Sequence, residues 1–483
     1  MKKIETLLKD IKYIKWVGDR TIQVDSLVYD SRTAGAGSCF FALVGTQSDG
    51  HSFIERAIGG GAQAIVCERL PEVVHPEVSY IVVEDSHATL GMMAAALYDN
   101  PSHALQLVGI TGTNGKTTTA TLLYDLFRSL GYRVGLISTV CYCIDDERRE
   151  STHTTPDSVR IHAMLREMVD RGCDYCFMEV SSHAVVQQRI AGLRFAGAMF
   201  SNITHDHLDY HHTFAEYIKA KKGLFDSLET SAFALTNIDD RNGEVMLQNC
   251  KASKHSYSLR SMAQFKAKII EMHLDAMLLR LDGEEIWVGS TGRFNAYNML
   301  AIYAIARLLG VAQSETLVAL SSLRAVCGRF ETIKLPNGVT AIIDYAHTPD
   351  ALESVINTIE EIISPEQQLI VVCGCGGDRD EQKRPEMAKI ASSHASLSIF
   401  TSDNPRSEDP QEIIRQMVGG VTNSAVRYLS IVDRREAIRT ALMFAKAGDV
   451  VLIAGKGHEK YQIIGQEKIH FDDHEVVQEM FKK

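Results

Sequence analysis

Lys116 and the threonines at 117–119 stand directly behind a glycine turn, Gly112-Thr-Asn-Gly-Lys-Thr117. Leu107 and Val108 precede the turn as the end of an apolar run, and residues 120–130 follow it with apolar side chains at helical spacing. Strand, glycine turn, Lys-Thr and helix together form an arrangement that holds a nucleoside triphosphate. Gly112 and Gly115 let the backbone close around phosphate oxygens with its N–H groups turned inward. Lys116 brings a compact positive charge to the outer phosphates, and the Thr117 hydroxyl is a Mg²⁺ ligand. The general pattern has glycine five residues before Gly115, where this chain has Ile110. A purely structural turn would need neither the lysine nor the threonine.

Other chemistry-bearing groups follow predicted strands. Glu179, in Met178-Glu-Val-Ser-Ser-His183, ends one of them, where a carboxylate either holds Mg²⁺ or caps the next turn. Residues 202–212 hold four histidines and two aspartates, among them Asp206 and His207. Beside a phosphate loop these suit a phosphate and Mg²⁺ rim better than zinc, since the cysteines lie elsewhere. The helical stretch 214–225 carries three lysines, which alone would be a solvated face. Asn237-Ile-Asp-Asp-Arg241 and Gly292-Arg-Phe-Asn-Ala-Tyr-Asn298 read as nucleotide contacts or ordinary caps. Further on come Asp344-Tyr-Ala-His347, a loop at 374–379, Asp403-Asn-Pro-Arg406 and Ala454-Gly-Lys-Gly-His-Glu459. Guanidinium forks and a carboxylate on one edge suit a zwitterionic substrate, with Glu459 on an ammonium. The Cys173/Cys176 pair reads as buried reduced thiols, because no second pair has zinc-ribbon spacing.

These groups need strands to carry them. Runs at 22–29, 39–44, 64–67 and 80–83, with a helix over about 51–60, predict a small α/β domain at 1–103 that ends in the turn Asp99-Asn-Pro-Ser102. Strands at 133–138, 175–180, 197–202 and 232–237 alternate with helices over 104–333. Strands at 339–344, 369–373, 397–401 and 450–454 do so over 334–483. The fold class is therefore α/β with three domains, and each of the later two is predicted to be a parallel sheet covered on both faces. The 483 residues carry a net charge of −11, which argues against a non-specific nucleic-acid binder. Residues 1–10 lack the apolar stretch of a signal peptide, and no run is long enough to span a bilayer, so a soluble, cytoplasmic protein is expected; a monomer is expected too, although no sequence feature specifies the oligomeric state.

Taken together, Gly112-Thr-Asn-Gly-Lys-Thr117, Glu179-Val-Ser-Ser-His183, Asn202 with Asp206 and His207, Asn237 with Asp240, Gly292 with Asn298, Gly328-Arg329 with Glu331, and Asp344-Tyr-Ala-His347 resemble the motifs of the Mur ligase family. The resemblance runs over nearly the whole chain, and the family's shorter glycine loop accounts for Ile110. It implies an N-terminal uridine-binding domain, a central P-loop-type ATPase domain and a Rossmann-like C-terminal domain that takes an amino acid.

The chemistry implied is ATP-dependent amide ligation in peptidoglycan biosynthesis. The γ-phosphoryl group passes to a substrate carboxylate, and an amine displaces phosphate from the acyl phosphate. Gly112, Thr113, Asn114, Gly115, Lys116, Thr117 and Thr118 would hold ATP with Asn295, Arg329, Asp344 and His347. Thr117 and Glu179 would hold one Mg²⁺ and His207 a second. Lys221 would carry a CO₂-derived carbamate, since an ammonium has no lone pair for a metal.

Ser31, Thr46 and Gln47 would meet the UDP end of UDP-MurNAc-L-Ala-D-Glu. Thr154, Thr155, Ser181, Gln187 and Arg189 would meet its pyrophosphate, sugar or peptide. Asp403-Asn-Pro-Arg406 resembles the version of the family that selects meso-diaminopimelate, with Arg406 on the distal carboxylate. Arg379, Asp403, Asn404, Gly455 and Glu459 would complete that pocket. L-Lysine would leave a buried Arg406 unpaired. The rivals are the same ligation with L-lysine, folylpolyglutamate synthesis, D-alanyl-D-alanine addition and, more distantly, a non-catalytic nucleotide switch.

Overall fold

The computed structural model describes residues 1–45, 48–204, 206, 208–423 and 425–480, with the backbone alone at 208 and 209. Thr46, Gln47 and His207 therefore lie outside the described residues.

Three sheets carry the chain. The first has the order Lys15–Val17, Ser79–Val82, Ala64–Cys67, Ser38–Phe41, Ser26–Val28. Its inner strands are buried along their whole length, as expected of strands covered on both faces. The helix Ser86–Leu97, which the sequence reading did not include, starts where the Asp85 carboxylate accepts from the Ala88 N–H. It docks this sheet on the middle domain. A Cβ on Gly91 would lie 2.5 Å from the Ala191 carbonyl oxygen, so only glycine allows the approach.

The middle sheet has the order Glu147–Glu150, Cys141–Ile144, Val134–Ile137, Tyr175–Glu179, Gln106–Thr111, Gly197–Phe200, Phe233–Asn237, Ser253–Ser258, Phe265–Met272, Met277–Leu281, Glu284–Val288. Its inner strands are parallel, as predicted, but both margins are antiparallel: the hairpin Cys141–Ile144/Glu147–Glu150 and the meander from Phe265 to Val288. The expectation of a purely parallel sheet is corrected on this point. Two of these hairpins close through tight two-residue turns, Asp145-Asp146 and Asp282-Gly283, with Asp145, Asp282 and Gly283 at positive φ, and residues 273–276 join Phe265–Met272 to Met277–Leu281.

The third sheet has the order Glu331–Lys334, Thr340–Asp344, Val450–Ala454, Leu369–Cys373, Leu397–Phe400, Tyr428–Ser430. It is parallel except at its first strand, so the prediction is corrected there too. It begins at Glu331, before residue 334. Among the described residues every cysteine is a free thiol, and only Cys327 is exposed. Also among them, no helix is long and apolar enough to cross a membrane.

One buried group makes the middle domain acid-sensitive. His162, on the helix Ser158–Asp170, is fully buried, and its Nε2–H faces the Ala191 carbonyl at 3.2 Å. Burial pushes its pKa down to about 4 from 6.5, and the Ala191 carbonyl offsets this only in part. Between those values the unfolded chain binds a proton that the folded chain refuses. Stability present above the unfolded value is therefore lost as pH falls through the window, by about 3 kcal/mol at most. Urea melts of the protein and of His162→Leu should diverge in pH slope across this window, and parallel slopes would contradict the assignment.

Candidate active site

The glycine turn at 112–117 is held from three sides. A Cβ on Gly112 would lie 1.9 Å from Ser201 Oγ, and one on Gly115 would lie 2.5 Å from Asn298 Oδ1. Asn114 donates its N–H to Asn202 Oδ1 (3.0 Å), while Asn202 Nδ2 and Ser201 Oγ donate to the Asn114 carbonyl (3.1 and 2.6 Å). Thr113 Oγ1 lies 3.1 Å from the Tyr217 hydroxyl, and Thr118 is buried on the helix Lys116–Ser129.

Lys116 Nζ donates to the carbonyls of Gly112 (2.9 Å) and Thr113 (2.8 Å). Lys221, on the helix Phe214–Asp226, is buried and donates to the same Gly112 carbonyl (2.7 Å). Two lysine side-chain nitrogens thus meet at one oxygen. Desolvation, and then the charge of Lys116, hold the Lys221 pKa well below the usual lysine range, with Asp206 pulling the other way. Desolvation also lowers that of Lys116, against the opposing pull of Glu179. Glu179 is fully buried at its strand end. It accepts from Thr117 Oγ1 (3.0 Å), the Thr139 N–H (2.7 Å) and Thr139 Oγ1 (3.2 Å).

A polar cluster lines one flank. Thr139 Oγ1 lies 3.0 Å from Thr154 Oγ1, and Thr155 Oγ1 donates to the Glu179 carbonyl (2.8 Å) and lies 3.4 Å from Ser181 Oγ. Arg189 donates to the Thr155 carbonyl (2.6 Å) and to Gln187 Oε1 (2.9 Å). Thr154, Thr155, Ser181, Gln187 and Arg189 are therefore one connected group. The N-terminal domain reaches it through Tyr29, whose phenol pKa is raised by burial and by Asp157, with Arg189 opposing. Ser31 is buried in the neighbouring turn, where Arg32 pairs with Asp30 (2.7 Å).

The C-terminal side closes over the loop. Arg329 Nη2 donates to Thr117 Oγ1 (3.2 Å), and its guanidinium lies 4.5 Å from the centre of the Tyr345 ring. Arg329 Nε is buried and has no hydrogen-bond partner among the described residues. Asp344 accepts from the N–H groups of Phe330 and Ala346 (both 2.7 Å), so it shapes the turn that presents Arg329 and His347. Burial raises its pKa, and Arg329 opposes the rise. His347 donates from Nδ1 to the Tyr345 carbonyl (2.8 Å), and Lys383 donates to the His347 carbonyl (3.0 Å). Burial, then Lys383, keeps the His347 ring below its ordinary pKa. Asn295 is tied within its own helix start, donating to the Thr291 carbonyl (2.8 Å) and accepting from Asn298 (3.1 Å).

Asp403, Asn404 and Gly455 are buried beside Glu459 and Arg406. A Cβ on Gly455 would lie 2.8 Å from Asp403 Oδ2. Arg406 Nη1 donates to the Gly377 carbonyl (2.6 Å), and the Arg406 backbone is bonded to the hairpin at Ile463 and Gly465. Arg379 lies in the same turn but is exposed. Glu459 accepts from Asn404 Nδ2 (2.9 Å), Lys456 Nζ (3.0 Å) and the Tyr345 hydroxyl (3.3 Å).

Three family models match in register with these three bodies: "Mur ligase family, catalytic domain" at 23–98, "Mur ligase middle domain" at 110–306, and "Mur ligase, glutamate ligase domain" at 328–457. A UDP-N-acetylmuramoyl-L-alanyl-D-glutamate–2,6-diaminopimelate ligase of Phocaeicola vulgatus is 52% identical over 480 residues, 99% of each chain. The chain belongs to the Mur ligase family. A relative of the same description from Clostridium acetobutylicum is 40% identical over 487 residues, 100% of this chain and 99% of its own. A solved structure described as that ligase aligns with a TM-score of 0.70 at 32% identity, covering 100% of this chain and 99% of the other. The folylpolyglutamate synthase of Thermotoga maritima aligns at 0.58 with 16% identity over 76% of this chain and 89% of its own, a likeness of fold alone.

In this Mur ligase chain three side chains of the cluster are given no role by the sequence: Thr139, Tyr345 and Lys456. Thr139 carried no signal, because it sits on an unremarked hairpin turn. Tyr345 and Lys456 stood inside quoted motifs, next to residues that drew attention first. Among the described residues no group of three His, Cys, Asp or Glu side chains is arranged to hold a metal.

Proposed function

We propose that this Mur ligase joins meso-diaminopimelate to UDP-MurNAc-L-Ala-D-Glu, forming the amide through an acyl phosphate made from ATP, in peptidoglycan synthesis. The observation that carries the reading is the double contact of Thr117 Oγ1, with Glu179 from the middle sheet and Arg329 from the C-terminal side. Through Tyr345 this pair reaches Glu459, so a phosphoryl-handling corner and an amine pocket are one connected site. The relatives' printed activity supports the choice of substrates.

In this reading the segment 112–118, Asn295, Arg329, Asp344 and His347 form the ATP site. Lys116 turns from its loop carbonyls to the transferring phosphoryl group and is worth most when charge builds there. The hard oxygens of Thr117 and Glu179 suit Mg²⁺, with His207 and the carbamate of Lys221 for a second ion; bound Mg²⁺ supplies charge neutralisation at the phosphate oxygens. The cluster from Thr154 to Arg189, with Ser31, Thr46 and Gln47, takes the nucleotide sugar. Arg379, Asp403, Asn404, Arg406, Gly455 and Glu459 take the amino acid. The domain boundaries at 103/104 and 333/334 belong to the same proposal, as do the cytoplasmic location and the monomer.

The carbamate reading rests on burial of Lys221 beside Lys116, which favours the neutral amine that CO₂ requires. Lys221→Ala is expected to lower turnover by about 10²-fold. Removal of dissolved CO₂ should slow the unaltered enzyme and bicarbonate should restore it. Normal turnover of Lys221→Ala would contradict the role. The function itself is tested by mass spectrometry of the product. A UDP-MurNAc-tripeptide should form only when ATP, the dipeptide substrate and meso-diaminopimelate are all present, with one phosphate released per amide. ATP binding without amino-acid-dependent product would refute it.

A further inference from the structure

Lys456 lies between two glycines at positive φ, and its side chain is 0% exposed. A lysine with no access to water must have its charge met. Its ammonium lies 3.0 Å from Glu459 Oε2, 3.3 Å from Asn404 Oδ1 and 3.9 Å from Asp403 Oδ1. Those are three of the residues assigned above to the amino-acid pocket.

The acceptor count on Glu459 and Asn404 decides what remains for a ligand. Glu459 Oε2 takes Asn404 Nδ2 (2.9 Å) and Lys456 Nζ, which uses both its lone pairs. Asn404 Oδ1 takes Lys456 Nζ and the Ile463 N–H (2.9 Å) and is used as well. Among the described residues Glu459 Oε1 takes only the Tyr345 hydroxyl, at 3.3 Å. One acceptor position is therefore left on Glu459, on the oxygen that meets Tyr345.

We infer that Lys456 is a positioning residue for the incoming amino acid: it locks Glu459 and Asn404 so that one carboxylate oxygen is presented to the substrate ammonium. This rests on the reading of the pocket given above. Lys456 has no exposed side-chain surface and gives two of its three donors to Glu459 and Asn404, so it does not itself meet the substrate.

The test is steady-state kinetics of the unaltered enzyme, Lys456→Met and Lys456→Gln, each substrate varied in turn, with thermal melts alongside. The Michaelis constant for the amino acid should rise at least about tenfold in both variants. Those for ATP and the nucleotide sugar, and kcat at saturation, should stay within about threefold. An unchanged amino-acid constant would overturn the inference. So would a parallel rise in all three constants, or failure of both variants to fold, since either marks a purely structural lysine. If the unaltered enzyme uses no amino acid of a panel, the reading of the pocket fails and takes this inference with it. If it does use one and the variants match it, only Lys456 is reassigned.

Discussion

Lys116→Ala is expected to lower kcat for phosphate release by about 10³-fold, with a much smaller change in the apparent affinity for ATP. The ammonium now rests on the carbonyls of Gly112 and Thr113, so in the resting protein it is already solvated by its own loop. Exchanging those carbonyls for a ground-state phosphate gains little. Exchanging them for a phosphoryl group in flight, whose equatorial oxygens gather charge, gains more. The loss should therefore fall on the chemical step. Folding should change little, because Lys221 still donates to the Gly112 carbonyl and Ser201 and Asn202 still hold Asn114. Stopped-flow phosphate release with a melt of the same sample measures both. A variant that loses ATP binding but keeps turnover at saturation would assign Lys116 to uniform binding.

Arg406 carries the second large effect. Arg406→Gly should cut kcat/KM for meso-diaminopimelate by about 10³-fold or more and bring its ratio to L-lysine within about tenfold. Glycine is the right control, because Arg406 sits at φ 52, where an L side chain is strained. The variant removes the guanidinium and eases the backbone, so the hairpin contacts at Ile463 and Gly465 should survive. Arg406→Lys should recover little. Its point charge cannot form the planar fork that meets a carboxylate. Retained discrimination in Arg406→Gly would place the selective contact elsewhere in the pocket.

The phosphate loop, Glu179 and the strand ends were legible because period and punctuation coincide there. Gly-rich turns follow apolar runs, and polar side chains such as Glu179 and Asp344 sit one residue past the last apolar strand position. The strands Ala64–Cys67, Leu369–Cys373 and Val450–Ala454 fall where the apolar runs place them. The margins of the middle sheet were harder. Asp282-Gly283 is a strong hairpin signal between alternating stretches, yet it sits among elements whose rhythm is parallel, and the local turn overrides that rhythm.

Site residues divide in the same way. Thr154 to Arg189 could be named from motifs, but their connection through Thr139 to Glu179 is tertiary and has no sequence mark. Glu459 could be read as an ammonium acceptor from its type. That Lys456 already occupies one of its oxygens depends on a fold that buries a lysine completely.

The central claim is that a carboxylate-activating ligase here selects an amino acid bearing a second, distal carboxylate. It is tested most directly by kcat/KM for meso-diaminopimelate and for L-lysine, measured side by side as ATP- and UDP-MurNAc-L-Ala-D-Glu-dependent phosphate release. A ratio of at least about 10³ in favour of meso-diaminopimelate is the predicted result, and equal constants for the two would contradict it.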